Sequence, residues 1–374
     1  MSRARAEVNL AAIAGNLKLI KGKTKSEVLA VVKADAYGHG LVAVAKTAEQ
    51  AGADWLGTAL LEEAITLRNA GITKPIIAWL TPKGEDFKTA INLDIDLSIS
   101  SVELLAEIAA AGKIINKVPR VHIELDTGMN RGGFGDELPL VISEIANQAK
   151  AGSINVVGIW SHFARADEPE ILMNQTQLSR FNSVVEQLKT AGITYQYLHL
   201  ANSAASLTNQ NAHKNIIRWG IGLYGLSPDI NNMGSSTDLG LKPAMKLIAK
   251  LQLVKAVKAG QGVGYGSTAT TKEDTKLGVV TMGYADGIPR NASNLAGVFV
   301  AGKRAPLIGR VSMDQFVVDL GASSLAKTGD EVIVFGDGSG GEYTIDEWAK
   351  ACGTINYEIV TRIGTRVPRI YPRE

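Results

Sequence analysis

Up to Pro228 the chain alternates between short, almost uninterrupted apolar runs and longer stretches of helical period. The runs fall at 28–32, 55–59, 76–80, 95–99, 120–125, 156–161, 195–200 and 216–219. Runs of this length, rich in Val and Ile, predict strands. They are apolar at successive rather than alternate positions, the pattern of parallel strands covered on both faces. Between them, Ala-, Leu-, Glu- and Lys-rich stretches at 42–51, 60–70, 102–111, 138–151 and 172–190 predict helices. Each ends at or near an Ala-Gly pair, at 51–52, 70–71, 111–112, 151–152 and 191–192, which signals a helix C-cap. Strands alternating with helices predict an α/β class. The count suits a (β/α)8 barrel, and a doubly wound sheet competes with it.

After Pro228 the pattern changes. A polar linker at 231–238 leads into shorter, β-branched segments at 251–257, 277–282, 298–301, 304–308, 316–319 and 331–335, separated by turns such as Ala259-Gly260. This predicts a mainly β-strand C-terminal domain, with one late helix at 345–351 behind Thr344 as N-cap. The expected division is a barrel over 9–235 and a β domain over 236–374, joined by residues 1–8.

Composition narrows the function classes. The 374 residues are 45% apolar and 20% charged, with a net charge of +2 and no basic block. That argues against nucleic acid or a membrane surface as partner. Cys352 is the only cysteine, so no intrachain disulfide forms, as suits a reducing, cytoplasmic setting. Residues 1–9 carry Arg3 and Arg5 without an apolar stretch behind them, so no signal peptide is expected.

The candidate chemistry sits at predicted strand ends, where barrel enzymes carry their active sites. Lys33 ends the first strand, 126–131 with Arg131 follows the fifth, His162 the sixth, Asn202 and Ser203 the seventh, and Arg218 lies in the eighth. Each has an ordinary alternative: a solvated lysine, a core histidine, a helix cap, an edge arginine. Their joint placement favours a site. A lysine whose pKa is lowered by desolvation forms Schiff bases with carbonyl groups. Tyr37 and His39 follow it, and Gly38 and Gly40 would let the backbone approach a ligand.

The stretch Ala30-Val-Val-Lys-Ala-Asp-Ala-Tyr-Gly-His-Gly40 resembles the cofactor-lysine motif of the alanine racemases. Further stretches resemble that family in the same order: 158–164, 199–204, 218–225, 262–267, 283–287, 309–314, 356–358 and 366–369. The resemblance implies an N-terminal (β/α)8 TIM barrel plus a C-terminal β domain. It implies pyridoxal 5'-phosphate on Lys33 and no metal. It places Tyr37, Arg131, His162, Asn202, Ser203, Arg218, Gly220, Ile221 and Tyr357 at the cofactor, with Arg218 at the ring nitrogen and Gly220 and Ile221 at the phosphate. Arg131, Tyr284 and Met313 would meet the substrate. Alanine would be racemised through an external aldimine by two bases, Lys33 and Tyr265 of the partner subunit, in a homodimer that supplies D-alanine for cell-wall peptidoglycan. The nearest alternative is racemisation of another small amino acid such as serine. Two positions depart from the family pattern. Ser312 stands where many members have cysteine, and Glu124 where many have a lysine that becomes carbamylated.

Overall fold

The computed structural model describes residues 2–372, which form two compact units: 13–36 with 41–241, and 2–12 with 37–40 and 242–372. The chain opens with strand β1 (Ala4–Val8), part of the second unit, and a helix at Leu10–Lys21. Then come β2 (Glu27–Val31), β3 (Trp55–Thr58), β4 (Ile76–Ala78), β5 (Ile95–Ile99), β6 (Arg120–Leu125), β7 (Asn155–Ser161), β8 (Tyr197–His199) and β9 (Ile216–Trp219). They are parallel, and β2 pairs with both β3 and β9, so the ring closes. Closure decides the fold in favour of the barrel over the open sheet. β4 and β8 are shorter than the apolar runs that predict them, and Leu80, beyond the end of β4, is 60% exposed.

The helices follow the expected periods with two kinds of difference. Helices at Leu10–Lys21, Phe87–Asn92 and Asn356–Thr361 were not foreseen, whereas the cap reading of Asn202 holds and opens helix Ser203–Thr208; Asp86 accepts from the Thr89 N–H at 3.1 Å and Asn202 from the Ala205 N–H at 3.0 Å. The helix Val102–Ile115 runs through the Ala111-Gly112 pair and ends on Asn116, at φ 55°. Gly112 serves packing instead of capping there, because a Cβ would lie 2.6 Å from both the Lys117 carbonyl and Pro119 Cδ.

The barrel interior departs from the branched aliphatic filling common in this architecture. Trp55 on β3 meets His122 on β6 edge-on at 5.7 Å, and Trp160 on β7 donates to Ser98 on β5 at 2.9 Å. Such contacts between non-neighbouring strands place these side chains inside the ring. Asp96, Ser98, His122 and His199 are all buried. A core this polar needs every donor matched with an acceptor.

The second unit is built on β10 (Met245–Val257). Its other strands are β11 (Gly262–Val263), β12 (Ala269–Thr270), β13 (Thr275–Val280), β14 (Gly297–Val300), β15 (Lys303–Pro306), β16 (Phe316–Asp319), β17 (Glu331–Phe335) and β18 (Arg369–Ile370). The main sheet runs β15-β14-β17-β10-β1-β18, with β13 and then β16 added to β10. The apolar pattern finds only the second half of β10; residues 245–250 pair with β1 and β17. The late helix Ile345–Ala351 forms where expected, with Thr344 and Glu347 exchanging caps, and Trp348 beneath it donates to the Val334 carbonyl at 2.7 Å.

Candidate active site

Lys33 leaves the C-terminal end of β2 and enters a turn of unusual hand. Ala34, Asp35, Ala36 and Tyr37 have φ of 54°, 53°, 52° and 51°. Four successive L-residues in the left-handed region cost about 1–2 kcal/mol each, so surrounding contacts must enforce the turn. The Ala34 N–H donates to Glu63 Oε1 at 2.6 Å, the Ala36 N–H to the Val32 carbonyl at 2.9 Å, and the Leu41 N–H to Asp35 Oδ1 at 2.8 Å. Gly38 and Gly40 make room for the protein itself: a Cβ at Gly38 would clash with the Val360 carbonyl, and one at Gly40 with the Tyr371 hydroxyl. The Lys33 ammonium lies 6.0 Å from the Trp79 ring centroid. Desolvation lowers its pKa, the charges of Arg131 and Arg218 lower it further, and Glu63 works against them.

Arg218, on β9, is 4% exposed. Nη1 donates to the His199 carbonyl at 3.0 Å, and Nη2 to the carbonyls of Ser161 at 2.8 Å and Leu200 at 3.1 Å. Nη2 also donates to His162 Nδ1 at 3.1 Å, and the guanidinium lies 5.1 Å over the Trp160 ring. Burial pushes its pKa down to about 9, with Glu124 opposing and Arg131 adding to the shift. It therefore remains a cation at neutral pH. His162 is held well below the usual imidazole range, by desolvation first and then by Arg218, Arg131 and Lys33. It is a neutral ring that accepts at Nδ1 and keeps its proton on Nε2.

Behind Arg218 a chain of hydrogen bonds crosses the barrel interior. Arg218 Nη1 faces His199 Nδ1 at 3.4 Å, His199 Nε2 faces His122 Nδ1 at 3.0 Å, and His122 Nε2 faces Asp96 Oδ2 at 3.0 Å. Arg120 closes the far end on Asp96 Oδ1 at 2.6 Å. The two ends fix the direction of every proton. Arginine only donates, so His199 Nδ1 must accept and its proton sits on Nε2; His122 Nδ1 must then accept, and His122 donates from Nε2 to the carboxylate. A doubly protonated His122 would force a proton onto His199 Nδ1, against the guanidinium. Burial raises the Asp96 pKa, but the hydrogen bonds from His122 and Arg120 outweigh it and hold the carboxyl below the usual range.

Around this centre lie the other barrel residues. The N–H groups of Gly220 and Gly222 converge on Ser203 Oγ at 2.9 and 3.4 Å, between Asn202, which caps helix Ser203–Thr208, and Ile221. Gly222 admits no side chain, because a Cβ would enter the Trp219 ring. Glu124 and Arg131 line a small cavity with Asp126, Met129 and His162, about 10 Å³ and room for roughly one water. They act on one another through charge across it, and no ion pair joins them among the described residues. Desolvation pushes the Glu124 carboxyl up to about 7, Arg131 and Arg218 partly offsetting it and Asp126 adding to it. Asp126 shapes the loop by accepting from the N–H groups of Gly128, Met129 and Asn130 at 2.8, 3.0 and 3.1 Å. The barrel thus brings together Lys33, Arg131, His162, Asn202, Ser203, Arg218, Gly220 and Ile221.

The remaining candidates belong to the second unit. Tyr37 is buried, 6.1 Å from the Tyr357 ring, and burial pushes its phenol well above the usual range. Tyr284 and Met313 lie on adjacent loops, joined by the Tyr284 N–H to the Ser312 carbonyl and the Ala285 N–H to the Met313 carbonyl, both at 3.0 Å. Tyr265, in the turn between β11 and β12, is 69% exposed, and Tyr284 and Met313 are also exposed. Glu63, Trp79, Asp96, His122 and Trp160 escaped sequence reasoning. The available signal was a carboxylate and a histidine inside otherwise apolar strands.

Comparison with known proteins agrees along the whole chain. Residues 8–228 match the family "Alanine racemase, N-terminal domain" and residues 244–371 "Alanine racemase, C-terminal domain". The chain is 45% identical over 376 residues to an alanine racemase of Salinispora arenicola, covering 100% of both proteins. It is similar to the crystal structure of the Streptomyces lavendulae alanine racemase, with a TM-score of 0.97, 44% identity and coverage of 100% of this chain and 98% of that one. The Bacillus anthracis alanine racemase solved with bound L-Ala-P matches with a TM-score of 0.91 and 37% identity over 100% of this chain and 96% of that one.

Two outcomes are expected. Nitrogen-15 NMR of labelled histidine should find both His122 and His199 protonated on Nε2 alone; Asp96→Asn, which removes the carboxylate that His122 and Arg120 donate to, should leave the His199 proton on Nε2, where Arg218 fixes it, and cost about 2 kcal/mol of stability. A doubly protonated His122 would refute the derived direction. For Glu124 the folded pKa of about 7 lies above the unfolded value, so folding favours the protonated form. Wild-type stability should therefore fall, relative to Glu124→Gln, as pH rises from about 4.5 to 7, by up to roughly 3 kcal/mol. Melting temperatures of the two proteins across that window check it, and a constant gap would contradict it.

Proposed function

The chain belongs to the alanine racemase family, and on that premise we propose that it interconverts L-alanine and D-alanine with pyridoxal 5'-phosphate as cofactor. Membership makes it an amino-acid racemase, an isomerase. The residues at the barrel mouth fit the cofactor. Two backbone N–H groups meeting on one hydroxyl oxygen are the arrangement a phosphate oxygen takes, and a partly desolvated amine and a fixed arginine lie in the same cluster. Lys33 would hold the cofactor covalently, Arg218 would face its ring nitrogen, His162 a ring face and Arg131 the ring hydroxyl. Ser203, Gly220, Ile221 and Tyr357 would take the phosphate, with Tyr37 and Asn202 supporting them.

When bound, the cofactor supplies an electron sink that makes the substrate Cα–H acidic. The protein's part is to move one proton off one face of Cα and another onto the opposite face. Lys33 serves one face; its lowered pKa leaves more of the amine free to accept. Tyr265 of the partner subunit serves the other. Arg131 takes the substrate carboxylate, and Tyr284 and Met313 of the partner subunit bound the space beside it. Arg218 carries only donors, so an acceptor placed against it stays unprotonated. The observation that carries this reading is the Lys33 amine, desolvated at the end of β2 in the field of Arg131 and Arg218.

In this reading residues 9–235 hold the cofactor, and 236–374 with 1–8 form the domain that completes a second subunit's site. The exposure of Tyr265, Tyr284 and Met313 supports such a homodimer. No helix among the described residues is long and apolar enough to cross a membrane, which fits a cytoplasmic enzyme supplying D-alanine for peptidoglycan.

The test follows α-proton exchange of L- and D-alanine separately in deuterium oxide, with L-serine as a competing substrate. Tyr265→Ala should lower exchange from one enantiomer by on the order of 10²–10⁴-fold and leave the other far less affected. Equal losses would rule out two opposed bases, and faster turnover of serine would reassign the substrate.

A further inference from the structure

The left-handed turn after Lys33 raises a question the proposed mechanism leaves open: what keeps the chain in a conformation its residues disfavour, at the point where the reactive amine is aimed? Ala34, Ala36 and Tyr37 have no intrinsic preference for positive φ, and only Asp35 tolerates it well. The turn starts one residue after Lys33. If it relaxed to the right-handed region, the peptide plane following Lys33 would rotate and the side chain would leave its place beside Trp79.

One side chain reaches the first residue of this turn and ties it to a different strand end. Glu63, in the first turn of helix Leu61–Asn69, uses both carboxylate oxygens. Oε2 accepts from the Ala59 and Leu60 N–H groups at 3.0 and 3.1 Å, at the start of its own helix. Oε1 accepts from the Ala34 N–H at 2.6 Å. The first pair of bonds fixes the carboxylate at the end of β3, and the third uses that fixed oxygen to hold the backbone just after β2. Adjacent strands of a closed barrel are rigid relative to one another, so the carboxylate is a stationary post. Three N–H donors converge on its two oxygens.

We propose that Glu63 is the positioning residue for Lys33: its carboxylate clamps the Ala34 N–H, and through it the left-handed turn that aims the amine. The inference rests on Lys33 as the reactive amine. The same charge also acts on Lys33 directly, opposing the lowering caused by burial and by the arginines. Removing it should therefore misplace the amine and lower its pKa further.

A purely structural role, capping helix Leu61–Asn69, is the competing account, and the two can be separated. Leu60 is the N-cap and carries no capping oxygen. Leu60→Asn combined with Glu63→Ala restores a side-chain cap without restoring the clamp. Hydrogen exchange of the holoenzyme is read at the amides of residues 34–36, together with the pH profile of α-proton exchange from each alanine enantiomer. The expected result is at least tenfold faster exchange at Ala34 in Glu63→Gln and in the double variant, with barrel-strand amides unchanged. The Lys33-dependent enantiomer should lose kcat with little change in KM, its profile displaced to lower pH, while the other enantiomer is spared. Native protection at Ala34 in the double variant, or recovery of both enantiomers' rates by the restored cap alone, would overturn the proposal. Amide exchange is read without turnover, so a wild type lacking racemase activity would refute the functional reading and leave the clamp to be judged by itself.

Discussion

A buried guanidinium is expensive unless its surroundings supply acceptors, and this barrel is arranged to supply them to Arg218. Three carbonyls and two imidazole nitrogens meet its N–H groups, and the second imidazole, His199, begins a line of aligned dipoles ending on Asp96. The positive end of that line is the active-site mouth, and the negative end is the Asp96 carboxylate, itself neutralised from outside by Arg120. The polar interior has a purpose in these terms. A ring filled with aliphatic side chains would pack well, but would leave Arg218 without its oriented partner.

Once Arg218 is a fixed cation, the states of its neighbours follow. His162 loses its proton because it is desolvated beside cations, Lys33 is shifted toward the free amine, and Arg131 strengthens both effects. Glu124 is the counterweight. It is desolvated enough to titrate near neutrality, it feels the charges of Arg131 and Arg218, and it shares with Arg131 the lining of a cavity with room for about one water. A glutamate at this position, on a shorter stem than a carbamylated lysine, shares that cavity with Arg131 and forms no ion pair with it among the described residues. The site is therefore a set of mutually dependent charges rather than a collection of independent groups.

The barrel was legible in the chain because its strands are apolar throughout and its helices keep their period; both signals come from burial on a repeating geometry. The strand-end residues were legible for the same reason, since strand ends point to one mouth. Three features were not. The left-handed turn at 34–37 is bonded to Glu63, at another strand end, and runs against the preference of Ala34, Ala36 and Tyr37. The first half of β10 shows no separate signal, because its pairing with β1 joins residues more than two hundred positions apart. The Asp96–His122–His199 line uses residues that look like exceptions within apolar strands, and only the ring closure shows that they face one another.

The central claim is that Lys33, desolvated among cations at the end of β2, is the one amine that reacts with the cofactor's carbonyl. Borohydride reduction of the holoenzyme followed by peptide mapping tests it most directly. The account predicts a single pyridoxyl-modified peptide, labelled at Lys33 and absent from Lys33→Ala. A label on any other lysine, or an unchanged label in that variant, would contradict it.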